Sequence, residues 1–120
     1  MFVTINDNVF QVKVCNSEKE KSEGMMKKKF KGFDGMLFLM GEDYHCFHMK
    51  NCIIPLDIIF INKNLRVQTI FDDCLPCGTD NNCEQYCGEA KYVLEIEGGL
   101  CDTLGIKEGD SCIFTFDISK

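Results

Sequence analysis

Cys74, Cys77, Cys83 and Cys87 spell C-x2-C-x5-C-x3-C within a polar stretch, the densest set of reactive side chains in the chain. Four thiolates can complete a tetrahedral zinc site, and the first pair has the spacing of a zinc knuckle. The central gap is shorter than in usual zinc ribbons, so disulfides and free thiols stay open as alternatives. Any crosslink here would offset the entropy of ordering a polar segment with few apolar anchors. The expectation is that the four sulfurs converge on one point, with zinc as the candidate cofactor. The chain holds nine cysteines, an odd number, so at least one thiol stays unpaired within a monomer.

Two carboxylates stand out because their neighbours are apolar. In Leu56-Asp57-Ile58-Ile59-Phe60-Ile61 one strand face is Leu56, Ile58 and Phe60, and the other is Asp57, Ile59 and Ile61. Glu95 repeats the pattern beside Val93, opposite Tyr92, Leu94 and Ile96. A buried carboxylate must be paired, hydrogen-bonded or protonated. Asp57 and Glu95 are thus expected on neighbouring strands, each mostly buried. They serve either as structural acceptors or as an acid/base pair of the kind hydrolytic sites use.

In Cys46-Phe47-His48-Met49-Lys50, Cys46 and His48 share one strand face and Phe47 and Met49 the other. Cys, His and Met suit a soft metal, but two ligands on one face do not specify a site. His45 reads as a surface residue, and the six methionines as core filler. No phosphate loop, Gly-x-Ser-x-Gly elbow or Ser/His/Asp set is present.

The elements that must position these groups are mostly strands. Phe10, Val12 and Val14 alternate with Gln11 and Lys13 across Val9–Cys15. Ser17-Glu18-Lys19-Glu20 has the form of a capping box opening a short helix, which frays near Gly24 or runs on to Lys28. Met36–Met40 and Cys46–Lys50 read as strands separated by a Gly41-Glu42-Asp43 turn. Leu56–Ile61 and Leu65–Phe71 read as a hairpin closed by Asn62-Lys63-Asn64. Residues 72–90 read as a long polar loop, Lys91–Glu97 as a strand, Cys101–Leu104 as a helical turn and Ser111–Ile118 as the last strand. About seven strands and two short helices at short spacing predict one mainly β (α+β) domain over residues 1–120. The expected form is a small, closed or nearly closed antiparallel barrel.

Several blocks then fall in order: Gly24-Met25-Met26, Gly35-Met36-Leu37-Phe38, Phe47-His48-Met49-Lys50-Asn51-Cys52 with Pro55-Leu56-Asp57, Leu94-Glu95, and Gly109-Asp110. Together they resemble domain-of-unknown-function family 192, whose members read Gly-Leu-Met, Gly-Met-Leu-Phe, Phe-Trp-Met-Lys-Asn-Thr, Pro-Leu-Asp, Leu-Glu and Gly-Asp. His48 stands where that family usually has Trp, and Cys52 where it usually has Thr. Lys27 or Lys28 must stand in for a common Arg. The resemblance implies a small closed β structure and no established activity. It also implies kinship with relatives in marine bacterial viruses that carry the compact Cys-rich loop.

The net charge of −6 opposes bulk attraction to nucleic acid, although residues 17–31 hold six Lys and three Glu. The apolar runs fall far short of the ~20 residues of a membrane helix. Met1–Asp7 lacks the basic start and apolar core of a signal peptide, so a cytoplasmic location is expected, in the host if the protein is viral. The leading expectation is a non-enzymatic accessory module that binds a small molecule or a protein, with no nucleic-acid or membrane partner. Its surface would comprise Phe47, His48, Met49, Lys50, Asp57 and Glu95, next to the Lys-rich segment. The alternatives are a small hydrolase using Asp57 and Glu95, and a thiol redox or metal-sensing protein using Cys74–Cys87.

Overall fold

The computed structural model describes residues 1–79 and 82–116. The elements run β1 (Phe2–Ile5), β2 (Asn8–Cys15), α1 (Glu18–Glu23), β3 (Gly35–His48), β4 (Leu56–Ile61), β5 (Val67–Cys74), β6 (Gln85–Glu97), α2 (Leu100–Leu104) and β7 (Cys112–Thr115). All seven strands form one sheet in the order β5-β4-β6-β3-β2-β1-β7. The sheet curls into a half-barrel that stays open. Its edge strands are stitched where both begin: Val67 N–H donates to Asp110 O at 2.8 Å, and Cys112 N–H to Leu65 O at 2.7 Å.

The mainly β class and the two short helices match the sequence, but four local expectations are corrected. First, β1 was not anticipated. Asn6 and Asp7 have φ of 50° and 64°, so a tight two-residue hairpin folds β1 onto β2 with Ile5 opposite Asn8. Second, Gly41-Glu42-Asp43 does not reverse the chain. β3 runs through it, and the extra residues are absorbed as a register shift between Leu39 and Asp43, with Gly41 at φ 80°. The strand count still comes to seven, because β1 is gained where two expected strands fuse. Third, residues 72–90 are not one loop. β5 reaches Cys74 and β6 starts at Gln85, because the extended end of β3 offers a ladder from Asp43↔Ala90 to His48↔Gln85. Fourth, the sheet is not wholly antiparallel. β2 and β3 pair in parallel with Val12 opposite Gly35. Parallel neighbours need a crossover, and α1 with residues 24–34 supplies it.

Other expectations hold in detail. Ser17 accepts from Glu20 N–H at 3.1 Å while the Glu20 carboxylate accepts from Ser17 N–H at 3.0 Å, completing the capping box. At the β4–β5 hairpin the Asn62 side chain accepts from Asn64 and Arg66 N–H, but the left-handed residue is Leu65, at φ 57°. The return strand consequently starts at Val67. Asp117 and Ile118, expected in the last strand, lie outside the described residues.

Alternation gives the sheet two apolar faces. One core draws on every strand and fills the inside of the curl, with Ile5, Leu37, Ile59, Ile61, Leu94 and Ile96 fully buried. The second, built on Phe38, Ile58, Phe60 and Val93, is covered by Met25, Phe33, Met49 and Cys52 from outside the sheet.

Asp57 belongs to the inner face. Its Oδ1 accepts from Asp73 N–H at 2.7 Å and Gly99 N–H at 2.9 Å, and its Oδ2 accepts from Cys101 N–H at 2.8 Å. α2 begins at Gly99, which has no side chain to cap it. Asp57 therefore caps α2 from a neighbouring part of the fold and ties it to the end of β5. Asp57→Ala leaves three backbone donors without their acceptor and should destabilise by at least ~3 kcal/mol in urea unfolding. Asp57→Asn, which keeps one carbonyl oxygen, should cost less.

Candidate functional site

The outer face of β3 and β6 carries a cavity of about 250 Å³. Glu95 lines its sheet side with Phe38. The opposite wall is the end of α1 with Gly24, Met25 and Met26, and the mouth is lined by Phe47, His48 and Lys50. Backbone contacts hold the two walls together. Met26 and Cys52 form an isolated antiparallel bridge, and Lys27 N–H donates to Asn51 O at 2.8 Å. Gly24 is required at the hinge of the first wall. Its φ is 44°, and a Cβ there would lie 3.1 Å from the Phe38 ring. Phe47 stands edge-on between Phe38 and Phe60, with centroids 5.1 and 5.9 Å away. Lys50 N–H donates to His48 Nδ1 at 3.1 Å, so a neutral His48 carries its proton on Nε2.

Glu95 is 4% exposed. Among the described residues no sealed side-chain oxygen or nitrogen lacks a partner. No hydrogen bond or ion pair among the described residues engages the Glu95 carboxyl, which therefore meets the cavity. Burial raises its pKa to about 8. The thiols nearby are also pushed up by burial and by the Glu95 charge, Cys15 and Cys52 to about 11 and Cys74 to about 12. These thiols stay protonated at neutral pH.

Four of the expected ligand-binding residues thus come together: Phe47, His48, Lys50 and Glu95. Met49 does not join them. It is buried, and lines a separate hollow under Leu75, Pro76 and Cys77. Asp57 does not join them either. In the β4–β6 ladder Asp57 faces Ile96 while Ile58 faces Glu95. Directly opposed residues share a face, so the two carboxyl groups lie on opposite sides of the sheet. The expected neighbouring strands and burial are present, but an acid/base pair cannot form. Sequence reading overlooked the contributions of Phe38 and Met40, although Phe38 stands in the Gly35-Met36-Leu37-Phe38 block.

The cysteine loop is corrected as well. Cys74, Cys77, Cys83 and Cys87 do not converge. Cys77 is bonded to Cys83, and Cys87 to Cys46. Cys87 lies on β6 directly opposite Cys46 on β3, so the ladder commits it to that partner. Cys74 ends β5 and turns into the outer core, its Sγ donating to Phe71 O at 3.3 Å. Among the described residues no three groups of metal-binding type cluster. Asp80 and Asn81, within the same loop, lie outside the described residues. Cys15, Cys52, Cys74, Cys101 and Cys112 remain as buried free thiols.

Two measurements check this site. Denatured without reductant, the protein should show five reactive thiols, and nine after reduction, with no stoichiometric zinc. For Glu95 the native pKa of about 8 lies above the usual 4.5, so across that window the native state holds a proton the unfolded chain has lost. Stability should fall as pH rises through the window and level off above it. Glu95→Gln should abolish that slope and leave the variant more stable than the wild type at pH 8, by roughly 3 kcal/mol.

Comparison with known proteins agrees with this architecture. A crystal structure of a protein of unknown function from Novosphingobium aromaticivorans DSM 12444 is 34% identical, with a TM-score of 0.82 over 94% of this chain and 84% of that one. A Sinorhizobium meliloti 1021 protein, described as a candidate transcription regulator, is 24% identical, with a TM-score of 0.81 over 93% and 91% of the two chains. That second likeness shows the fold alone. No curated protein matches the chain. The family model described as "Uncharacterized ACR", DUF192, matches residues 1–114, and the chain belongs to that family.

Proposed function

We propose that the protein is a small-ligand-binding module without a catalytic centre of its own, and that the Glu95 cavity is where its ligand binds. The observation that carries this reading is the buried Glu95 carboxyl, which no group among the described residues engages and which opens onto a cavity of mixed polar and apolar lining. A binding pocket combines an apolar lining with a few polar groups that fix orientation, and a buried carboxyl costs stability unless something pairs with it. The hydrolase reading needs two carboxyl groups in one cleft, and Asp57 is withdrawn to the inner face. A thiol-based reaction needs a thiolate; Cys52 is held protonated, and Cys46 is bonded to Cys87.

The net charge of −6 weighs against direct binding to nucleic acid, so the description of the Sinorhizobium relative is not extended to this chain. No helix among the described residues is long and apolar enough to cross a membrane. We place the module in the cytoplasm of a bacterium, or of a bacterial host if the likeness to viral relatives holds.

A mixture of small amines, alcohols and carboxylates titrated into 15N-labelled protein tests this reading. Shift changes should gather on the amides of Met25, Met26, Phe38, Phe47, Cys52 and Glu95. Changes confined to amides outside this lining, or none at all, would remove the cavity as a ligand site.

A further inference from the structure

The chemistry of the cavity narrows the ligand. Its deepest polar group is a carboxyl that is 4% exposed, with no cation paired to it among the described residues. Lys21 and Lys28, two of the lysines near it, are engaged elsewhere, and Lys50 has an interaction of its own. Lys21 Nζ lies 3.2 Å from Glu18 Oε1, and Lys28 Nζ donates to Gly24 O at 3.0 Å. The walls on either side of Glu95 are Phe38, Phe47, Met25 and Met40. A carboxylate among aromatic and thioether surfaces suits an ammonium group. The carboxylate accepts its N–H donors, and the aromatic and thioether lining takes its hydrocarbon body. An anionic ligand would keep Glu95 protonated, so it would seat without releasing a proton and would weaken as pH rises, the opposite of an amine.

We propose that the Glu95 cavity binds a small organic cation, a primary amine with an apolar body, and that Glu95 gives up a proton to solvent as the amine seats. This rests on the reading of the cavity as a ligand site and specifies its occupant. The cavity of about 250 Å³ accommodates a ligand the size of benzylamine or n-butylamine. Binding then couples to pH. Below the Glu95 pKa of about 8, the amine must displace a bound proton, so each unit of pH lost weakens binding about tenfold.

The other titratable and charged groups around the site are Cys15 of β2, Lys21 and Glu23 of α1, Lys28, His48, Lys50, Cys52, and Cys74 of β5. The thiols stay neutral across pH 6–8, being held at about 11 to about 12. Imidazole is the other side-chain type that changes charge near neutrality, so the measurement is repeated with His48→Gln.

The experiment titrates benzylamine, benzyl alcohol and benzoate into the wild-type protein at pH 6, 7 and 8, reading Kd by NMR and proton release by calorimetry in two buffers. Benzylamine should bind tightest. Its affinity should rise about tenfold from pH 6 to 7 and begin to level near 8, with close to one proton released at pH 6. With His48→Gln the affinity itself can change, but the tenfold change per pH unit should remain, and Glu95→Gln should weaken benzylamine at least tenfold at pH 8. The wild-type pH profile and proton count need no variant, so a misfolded Glu95→Gln leaves the proposal exposed to them. Benzoate or benzyl alcohol binding at the cavity as well as benzylamine, or a flat pH profile, would overturn the cation while leaving the cavity a ligand site. No binding by any of the three would overturn both.

Discussion

The antiparallel pairing of β4 with β6 sets Ile58 opposite Glu95 and Asp57 opposite Ile96. β4 throughout and β6 over residues 93–96 are buried on both faces, so each carboxylate is delivered into a core rather than to water. The two environments resolve that cost in different ways. On the inner face Asp57 finds three backbone N–H donors and becomes an anchor for α2. On the outer face Glu95 finds no donor among the described residues, and burial raises its pKa towards the protonated form. A shift of one residue in this register would exchange the faces and abolish both arrangements.

The outer face carries a cavity because of how the β2–β3 crossover is built. A parallel pair obliges the chain to leave the sheet and return, and here it returns over Phe38 and Glu95 with α1 and Met25. The capping box at Ser17 fixes where the helix starts, and the positive φ of Gly24 ends it against the Phe38 ring. The Met26–Cys52 bridge then joins this crossover to the segment that follows β3. The cavity is what remains between a wall set by helix capping and a floor set by strand alternation. The disulfide between Cys46 and Cys87 crosslinks β3 and β6 beside the same cavity, which Cys46 helps to line.

Much of this was legible from local pattern. Period-two alternation marks the two faces of Leu56–Ile61 and places Asp57 and Glu95 in apolar surroundings, because burial on a strand depends on near neighbours. The capping box is a four-residue signal and was read to the residue. The blocks around Gly24, Gly35 and Phe47 were enough to identify the family and to nominate Phe47, His48, Lys50 and Glu95 together. What local pattern misjudged were places where a distant strand decides the outcome. Gly41-Glu42-Asp43 has the composition of a turn, yet β6 offers a ladder that carries the chain through it as a bulge. Residues 85–90 look like polar loop, yet they pair with the far end of β3.

The sequence by itself determined that this is a mainly β chain with two buried carboxylates, a capped short helix and more cysteines than one cluster can use. These follow from composition and from periodicities a few residues long. Only the tertiary structure decided which carboxylate anchors and which faces a cavity, and which cysteines meet. Cys87 is separated from Cys46 by 41 residues and from Cys83 by four, yet it bonds to the distant one. Spacing along the chain limits which groups can meet locally, whereas register across strands fixes which ones do. That register is set by the summed burial of all seven strands, which no local segment of the chain contains.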